Sequence, residues 1–241
     1  MLGFQTVGNA TVIAYDNAPI ISTDPWLNDN EAYFGSWNLS YKIPNNLQKD
    51  ILNSEYTWVS HGHPDHLNPH SIKHFKSKKL LIPDHVGQRI YKWLKKVGYN
   101  VSIIKDRKWK SLSKNIKVMS IADYNQDAIL LIDINGRLII NTNDSAVRSC
   151  RSFIKKISKN YKEVFVLALS GYGDADMINI FNENGDRVEP RAALKKPVGE
   201  KLSTHAKIVG ANKVIPFSSF HQYAREDSIW AEKYTTPIDA Y

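Results

Sequence analysis

The chain has 241 residues, 42% of them hydrophobic and 23% charged, with a formal net charge of +8. That composition suits one large folded domain and excludes disorder, and no apolar run approaches the roughly 18 residues a membrane span needs. Cys150 is the only cysteine, which excludes an internal disulfide and argues against a cysteine-built zinc site. Met1 to Gln5 lack the basic and apolar stretches of a secretory leader, so the expected location is cytoplasmic. The positive residues fall in short runs: Lys73 to Lys79, Lys92 to Lys96, Lys105 to Lys114 and Lys155 to Lys162. No RNA-binding signature accompanies them. Solvated surface faces that steer a small anionic substrate are expected, not a nucleic-acid groove.

In chain order, Thr11 to Tyr15, the Asp16-Asn17 turn and Ile20 to Thr23 predict a hairpin that ends at Asp24-Pro25-Trp26-Leu27. Tyr56 to Ser60 predicts a strand running into His61. Leu80 to Ile82 predicts a buried strand. Pro83-Asp84 then predicts a helix start, with Val86, Ile90, Leu94 and Val97 on one face and Gly98 as its stop. Strands are predicted at Val101 to Ile104 and Ile116 to Met119. Ala128 to Ile134 and Arg137 to Ile140 flank Asn135-Gly136, a strong hairpin signal. Ser145 is expected to cap a helix carrying Val147, Cys150, Ile154 and Ile157. Val164 to Leu169 and Lys213 to Phe217 close the set of strands. Strands in both halves with helices between them predict an α/β sandwich, two sheets inside two helical layers, without an internal domain boundary. The weakly patterned segment 171–207 is expected to cover a pocket, with Tyr172, Asp174 and Asp176 as lining candidates.

The stretch that carries chemistry is Ser60-His61-Gly62-His63-Pro64-Asp65-His66-Leu67-Asn68. Three histidines and a carboxylate in six residues at a strand end are hard to explain as packing. Strand alternation points His61 and His63 the same way, and the turn at Pro64 swings Asp65 and His66 beside them. Imidazole and carboxylate are the ligands of zinc, iron and manganese. The other histidines are read as lesser: His70 and His74 on a face after the motif, and His85 on the surface.

This run resembles the HxHxDH signature of the metallo-β-lactamase superfamily. Asp24-Pro25-Trp26-Leu27 is similar to that family's early turn. Asn141-Thr142-Asn143-Asp144 resembles its bridging-aspartate motif, and Pro216 to His221 its last metal-histidine strand. The combination looks most similar to the metallo-β-lactamase-like part of CMP-N-acetylneuraminate hydroxylases, and it also resembles the lactonase and N-acyl-phosphatidylethanolamine phospholipase D branch. The resemblance implies a four-layer αββα fold and two divalent metals, zinc by family. His61 and His63 would hold the first metal, Asp65, His66 and His221 the second, and Asp144 would bridge. Between His66 and Asp144 the family has a third histidine. This chain reads Ser120 to Asp127 there, with Asp123 as the replacement, Asp127 in reserve and His205 as a more distant substitute. Carboxylate in place of imidazole keeps iron or manganese open. The implied activity is hydrolysis of an ester, lactone or phosphodiester of a small anionic substrate. A metal-bridging hydroxide would be the nucleophile and Asp65 the catalytic base. The alternatives are a diiron oxygenase-type enzyme without the Rieske domain, and a binding module with a degenerate metal site.

Overall fold

The computed structural model describes residues 1–28, 31–145, 147–169, 179–189 and 198–235. Its strands form two six-stranded mixed sheets. The first has the order β1 (Leu2–Val7), β2 (Thr11–Asp16), β3 (Ala18–Thr23), β5 (Tyr56–Trp58), β6 (Lys79–Pro83) and β7 (Val101–Ile104). Its first three strands form an antiparallel meander, and β3, β5, β6 and β7 run parallel. In the second sheet, β13 (Lys213–Phe217), β12 (Glu163–Leu169) and β11 (Arg137–Asn143) are parallel. β10 (Ala128–Ile134), β9 (Ile116–Ala122) and β8 (Trp109–Ser111) continue it antiparallel. A two-stranded ribbon of β4 (Trp37–Leu39) and β14 (His221–Tyr223) stands apart from both.

Side-chain alternation along the strands gives each sheet two apolar faces, and three clusters fill them. Val12, Ala14, Ile21, Trp58 and Leu81 of the first sheet meet Val118, Leu130, Ile132, Ile139 and Leu167 of the second. The outer face of the first sheet is covered by α1 (Asn45–Asn53), the short 3-10 turn Ser71–Phe75 and α2 (Arg89–Lys96), through Ile51, Ile72, Phe75 and Leu94. α3 (Arg151–Ser158) and α4 (Val198–Val209) cover the second, through Ile154, Leu202, Ala206 and Val209. The result is the four-layer αββα sandwich expected from the sequence. Among the described residues no helix is long and apolar enough to cross a membrane.

The Asn135-Gly136 hairpin forms as expected, with both residues at positive φ (49° and 83°), the twist a two-residue turn requires. Two helix starts differ from the sequence reading. The chain does not enter a helix at Pro83-Asp84. Gly87 and Gln88 take left-handed φ values of 77° and 52°, so α2 begins only at Arg89, leaving Val86 exposed and His85 buried. Ser145 does not cap α3, because its hydroxyl donates instead to Asp123 Oδ2 at 2.9 Å; the helix begins after Cys150 without a side-chain cap. Val147, Cys150 and Ile154 nevertheless share the expected apolar cluster, with Ile157 packed against it. Residues 171–178 and 190–197 of the expected covering segment 171–207, with Tyr172, Asp174 and Asp176 among them, lie outside the described residues.

Cys150 is buried in the outer cluster of the second sheet, and burial, aided by the charge of Asp123, pushes its thiol pKa up to about 11. The thiolate is the reactive form, so at pH 8 Cys150 should react with Ellman's reagent only as fast as the fold opens. Labelling at the rate of a free thiol would contradict this burial.

Candidate metal centre

The sheets carry chemistry at the edge where the parallel strands β5 and β11 end. β5 stops at Trp58, and its continuation is held by Asp24, which follows β3. The Asp24 N–H donates to the Trp58 carbonyl at 2.8 Å, and the Ser60 N–H donates to Asp24 Oδ1 at 2.7 Å. His61 leaves this point buried, and His63 is exposed two residues on. The turn that follows is closed by the N–H groups of His66 and Leu67 donating to the His63 carbonyl. It brings Asp65 and His66, both buried, to the same side.

Asp144 reaches the site through a local irregularity. The register of β11 against β12 shifts between Asn141 and Asn143, and Asn143 has φ 51°. A bulge of this kind re-aims the following side chain. Asp144 Oδ2 thereby lies 3.7 Å from His61 Nε2 and 3.4 Å from His66 Nε2, and Ser218 donates to its Oδ1 at 2.7 Å. His221, at the start of β14, stacks on the Trp37 ring with centroids 3.5 Å apart.

These groups form two ends of one cluster. At the first, His61 Nε2 faces His63 Nδ1 at 2.8 Å, and with Asp144 they offer three ligand atoms within 4.8 Å of one another. At the second, His66 Nε2 lies 3.2 Å from Asp65 Oδ2 and 3.4 Å from Asp144 Oδ2, yet makes a hydrogen bond to neither. Both ring nitrogens of the buried His221 also lack a protein partner. Burial drives the His221 pKa down to about 4 against the pull of Asp65 and Asp144, which leaves a neutral ring, the form that ligates metal. Buried polar atoms without partners, beside ionised carboxylates, fit a cation.

Two carboxylates stand behind the imidazoles. Asp127 Oδ1 lies 2.9 Å from His61 Nδ1, and Asp24 Oδ2 lies 3.3 Å from His66 Nδ1. These charges lie on the Nδ1 side of each ring, where Ser60 Oγ also meets His61 Nδ1 at 2.9 Å, and the opposite nitrogens are left for a metal. Asp123 is differently engaged: the Tyr124 N–H donates to its Oδ1 at 2.6 Å and Ser145 to its Oδ2. Of the two aspartates named for this stretch, the structure turns Asp127 toward His61. His205 lies on α4, with Lys201 as its charged neighbour.

The electrostatics follow from this crowding. Burial pushes the Asp65 carboxyl upward, but His66 beside it outweighs that effect and holds it below its ordinary range. Asp144 is also held well below its ordinary range, burial again being outweighed by His66 and His61. Burial lowers the His66 pKa, and the charges of Asp65 and Asp144 carry it well above its ordinary value. Asp65 has further support: Asn9 donates to Oδ2 at 3.0 Å and the Tyr33 hydroxyl to Oδ1 at 3.1 Å.

Sequence reasoning passed over several residues that touch this centre. His85 is buried, with Nε2 2.9 Å from the Ser60 carbonyl and no partner on Nδ1. Its position after a predicted helix start concealed it. Asn9 and Tyr33 carried no local signal at all. Tyr33 and Phe34 also have consecutive left-handed φ values of 51° and 56°, each costing about 1–2 kcal/mol for a residue with a side chain. His70 and His74 are exposed and stand outside the cluster, as the sequence suggested.

No protein-family model matches the chain. Among curated proteins it is 26% identical over 130 residues to the cytidine monophosphate-N-acetylneuraminic acid hydroxylase of Danio rerio, a match covering 50% of this chain and 22% of that protein. It is 33% identical over 100 residues to a protein of Mycolicibacterium smegmatis described as a putative Rieske 2Fe-2S iron-sulfur protein, covering 39% of this chain and 18% of that one. The chain thus spans only about a fifth of the length of these relatives. Three solved structures superpose on most of it. Igni18, a metallo hydrolase of Ignicoccus hospitalis, gives a TM-score of 0.56 at 14% identity, over 89% of this chain and 81% of that one. The isothiocyanate hydrolase from Delia radicum gut bacteria gives 0.59 at 14% identity, over 90% and 85%. CmlA, a diiron beta-hydroxylase of Streptomyces venezuelae, gives 0.54 at 14% identity, over 89% and 44%. The chain has the metallo-β-lactamase fold. On that fold, the histidine run at the end of β5 faces Asp144 at the end of β11 across the rim of the sandwich. Ligands of open α/β sheets bind at such carboxyl ends of parallel strands.

Proposed function

We propose that this chain is a metal-dependent hydrolase that cleaves an ester, lactone or phosphodiester bond of a small anionic substrate. One observation supports the reading best. His61 and His66 each turn one ring nitrogen toward Asp144 and keep the other against a carboxylate, Asp127 or Asp24. In the proposed set, His61, His63 and Asp144 would hold one divalent ion, and Asp65, His66 and His221 would hold a second on the other side of Asp144. Asp123 is left out of the set because both its oxygens already serve Tyr124 and Ser145. Zinc, iron and manganese all suit this mixture of nitrogen and oxygen ligands.

Divalent ions held there supply Lewis acidity and make water acidic enough to attack near neutral pH. The protein contributes position and proton transfer. Asp127 and Asp24 set negative charge behind the two imidazoles, on their Nδ1 side. Asp65, kept ionised by His66 and held by Asn9 at Oδ2 and Tyr33 at Oδ1, accepts the proton that the attacking water gives up. The excess of lysine and arginine steers an anionic substrate toward the surface.

The test is elemental analysis, followed by hydrolysis assays on an aryl ester, a lactone and a phosphodiester. Two ions per chain are expected, with turnover lost on chelation and regained when metal is returned. A chain that binds no divalent metal would overturn the reading. A second reading, oxygen-dependent hydroxylation, is supported by the lack of a histidine in the stretch Ser120 to Asp127, since a centre with fewer nitrogen ligands suits iron. It requires iron, reductant and dioxygen for turnover, and hydrolysis requires neither of the last two.

A further inference from the structure

The loop between Ala32 and Trp37 holds a feature that metal binding does not explain. Phe34 is 93% exposed, more than any other large apolar side chain among the described residues. A single exposed ring is ordinary on a protein surface; what sets Phe34 apart is the way its loop is held beside the candidate centre. The loop is firmly built. Ala32 and Trp37 pair backbone to backbone in both directions at 2.9 and 3.1 Å, and the Ser36 N–H donates to the Tyr33 carbonyl at 3.1 Å. The Ala224 N–H donates to the Ser36 carbonyl at 2.9 Å. From the stretch after β14, the Arg225 guanidinium donates to the Phe34 carbonyl at 3.0 Å and the Tyr33 carbonyl at 3.4 Å, while Asp227 holds the guanidinium.

This clamp holds Tyr33 and Phe34 in the left-handed backbone region that side-chain-bearing residues avoid. Strain that the surroundings enforce in this way gathers where ligands are gripped. Its location is at the candidate centre. The Tyr33 hydroxyl meets Asp65 Oδ1, its ring centroid is 6.4 Å from that of His63, and it packs at 4.6 Å against Trp37, the ring on which His221 stacks.

We propose that Tyr33 and Phe34 form a substrate-binding lip of the metal centre. Phe34 covers an aryl or alkyl arm of the substrate, and the Tyr33 hydroxyl turns from Asp65 Oδ1 to donate its one proton to a substrate oxygen held between the two ends of the cluster. The substrate class is therefore an anionic compound with an apolar arm of about ring size, a refinement that rests on the hydrolase reading for the reaction but not for the binding.

Calorimetry on the metal-loaded full chain, with phenylphosphonate and methylphosphonate as inert probes, tests the lip. The phenyl compound should bind roughly tenfold tighter than the methyl compound, and Phe34→Ala should reduce that preference to about twofold or less. Tyr33→Phe should weaken both probes by a similar factor while metal content stays that of the parent. Equal binding of the two probes by the parent chain would overturn the lip, as would a preference that survives Phe34→Ala. Loss of metal in Tyr33→Phe would reduce Tyr33 to a support of Asp65 and overturn its share of the proposal. A phenyl preference without hydrolysis of any ester or phosphodiester leaves the lip standing and sinks the hydrolase reading; hydrolysis without that preference does the reverse.

Discussion

Asp144→Ala should empty both ends of the metal centre in one step. Its Oδ2 is the oxygen that faces His61 Nε2 and His66 Nε2 together, so without it the first end loses its one carboxylate in the proposed set and the second keeps only Asp65. Removing one member of a buried charge pair costs about 3–5 kcal/mol, which corresponds to roughly two to four decades in affinity. Metal content by elemental analysis should fall from two ions to none at micromolar free metal, and turnover should fall with it. His63→Ala, by contrast, removes an exposed ligand of the first end only and should leave the second ion in place. If Asp144→Ala retained both ions, the shared role would be wrong. Because Asp144 is half-exposed and lies at the end of its strand, the variant is expected to fold.

Asp24→Ala should be the most damaging single change to the fold around the site. Asp24 is fully buried and accepts from the Ser60 N–H and from Asn143 Nδ2, with His66 Nδ1 beside it. Alanine leaves these groups in the interior without an acceptor, each orphan costing about 1–3 kcal/mol. A combined loss of about 3–5 kcal/mol is a large part of the 5–15 kcal/mol that holds a typical domain together. At roughly 2–4 °C per kcal/mol for a chain of this size, the melting temperature should drop by about 6–20 °C. Asp24→Asn keeps an acceptor for Ser60 but sets a second amide near the Asn143 donor, so an intermediate loss is expected. Thermal unfolding of the metal-free proteins is the measurement that separates this from lost metal binding. A melting temperature within about 2 °C of the parent would show that Asp24 is not a structural joint between the ends of β3, β5 and β11.

The strands and the histidine run were legible because their signals are local. Short β-favouring apolar runs mark β2, β10 and β12, the Asn135-Gly136 pair demands a hairpin, and β13 falls at Lys213–Phe217 as the pattern predicts. The density of His61, His63, Asp65 and His66 at a strand end needed no partner to be read as a candidate metal site. What the tertiary structure alone decided was direction. Asp123 and Asp127 lie four residues apart on one turn, and the sequence favoured Asp123 with Asp127 in reserve. The left-handed Gln126 between them, and the Ser145 hydroxyl arriving from beyond β11, turn Asp123 into the loop and leave Asp127 against His61. His85 became a buried neighbour of Ser60 only because Gly87 and Gln88 delay α2. Asn9, Tyr33 and Arg225 come from loops remote in sequence from His61, and only the closing of the two sheets and the β4–β14 ribbon brings them to Asp65 and to each other. A backbone pattern repeats every two or 3.6 residues and can be read along the chain, but the aim of a loop side chain depends on one or two dihedral angles and on whatever packs across from it.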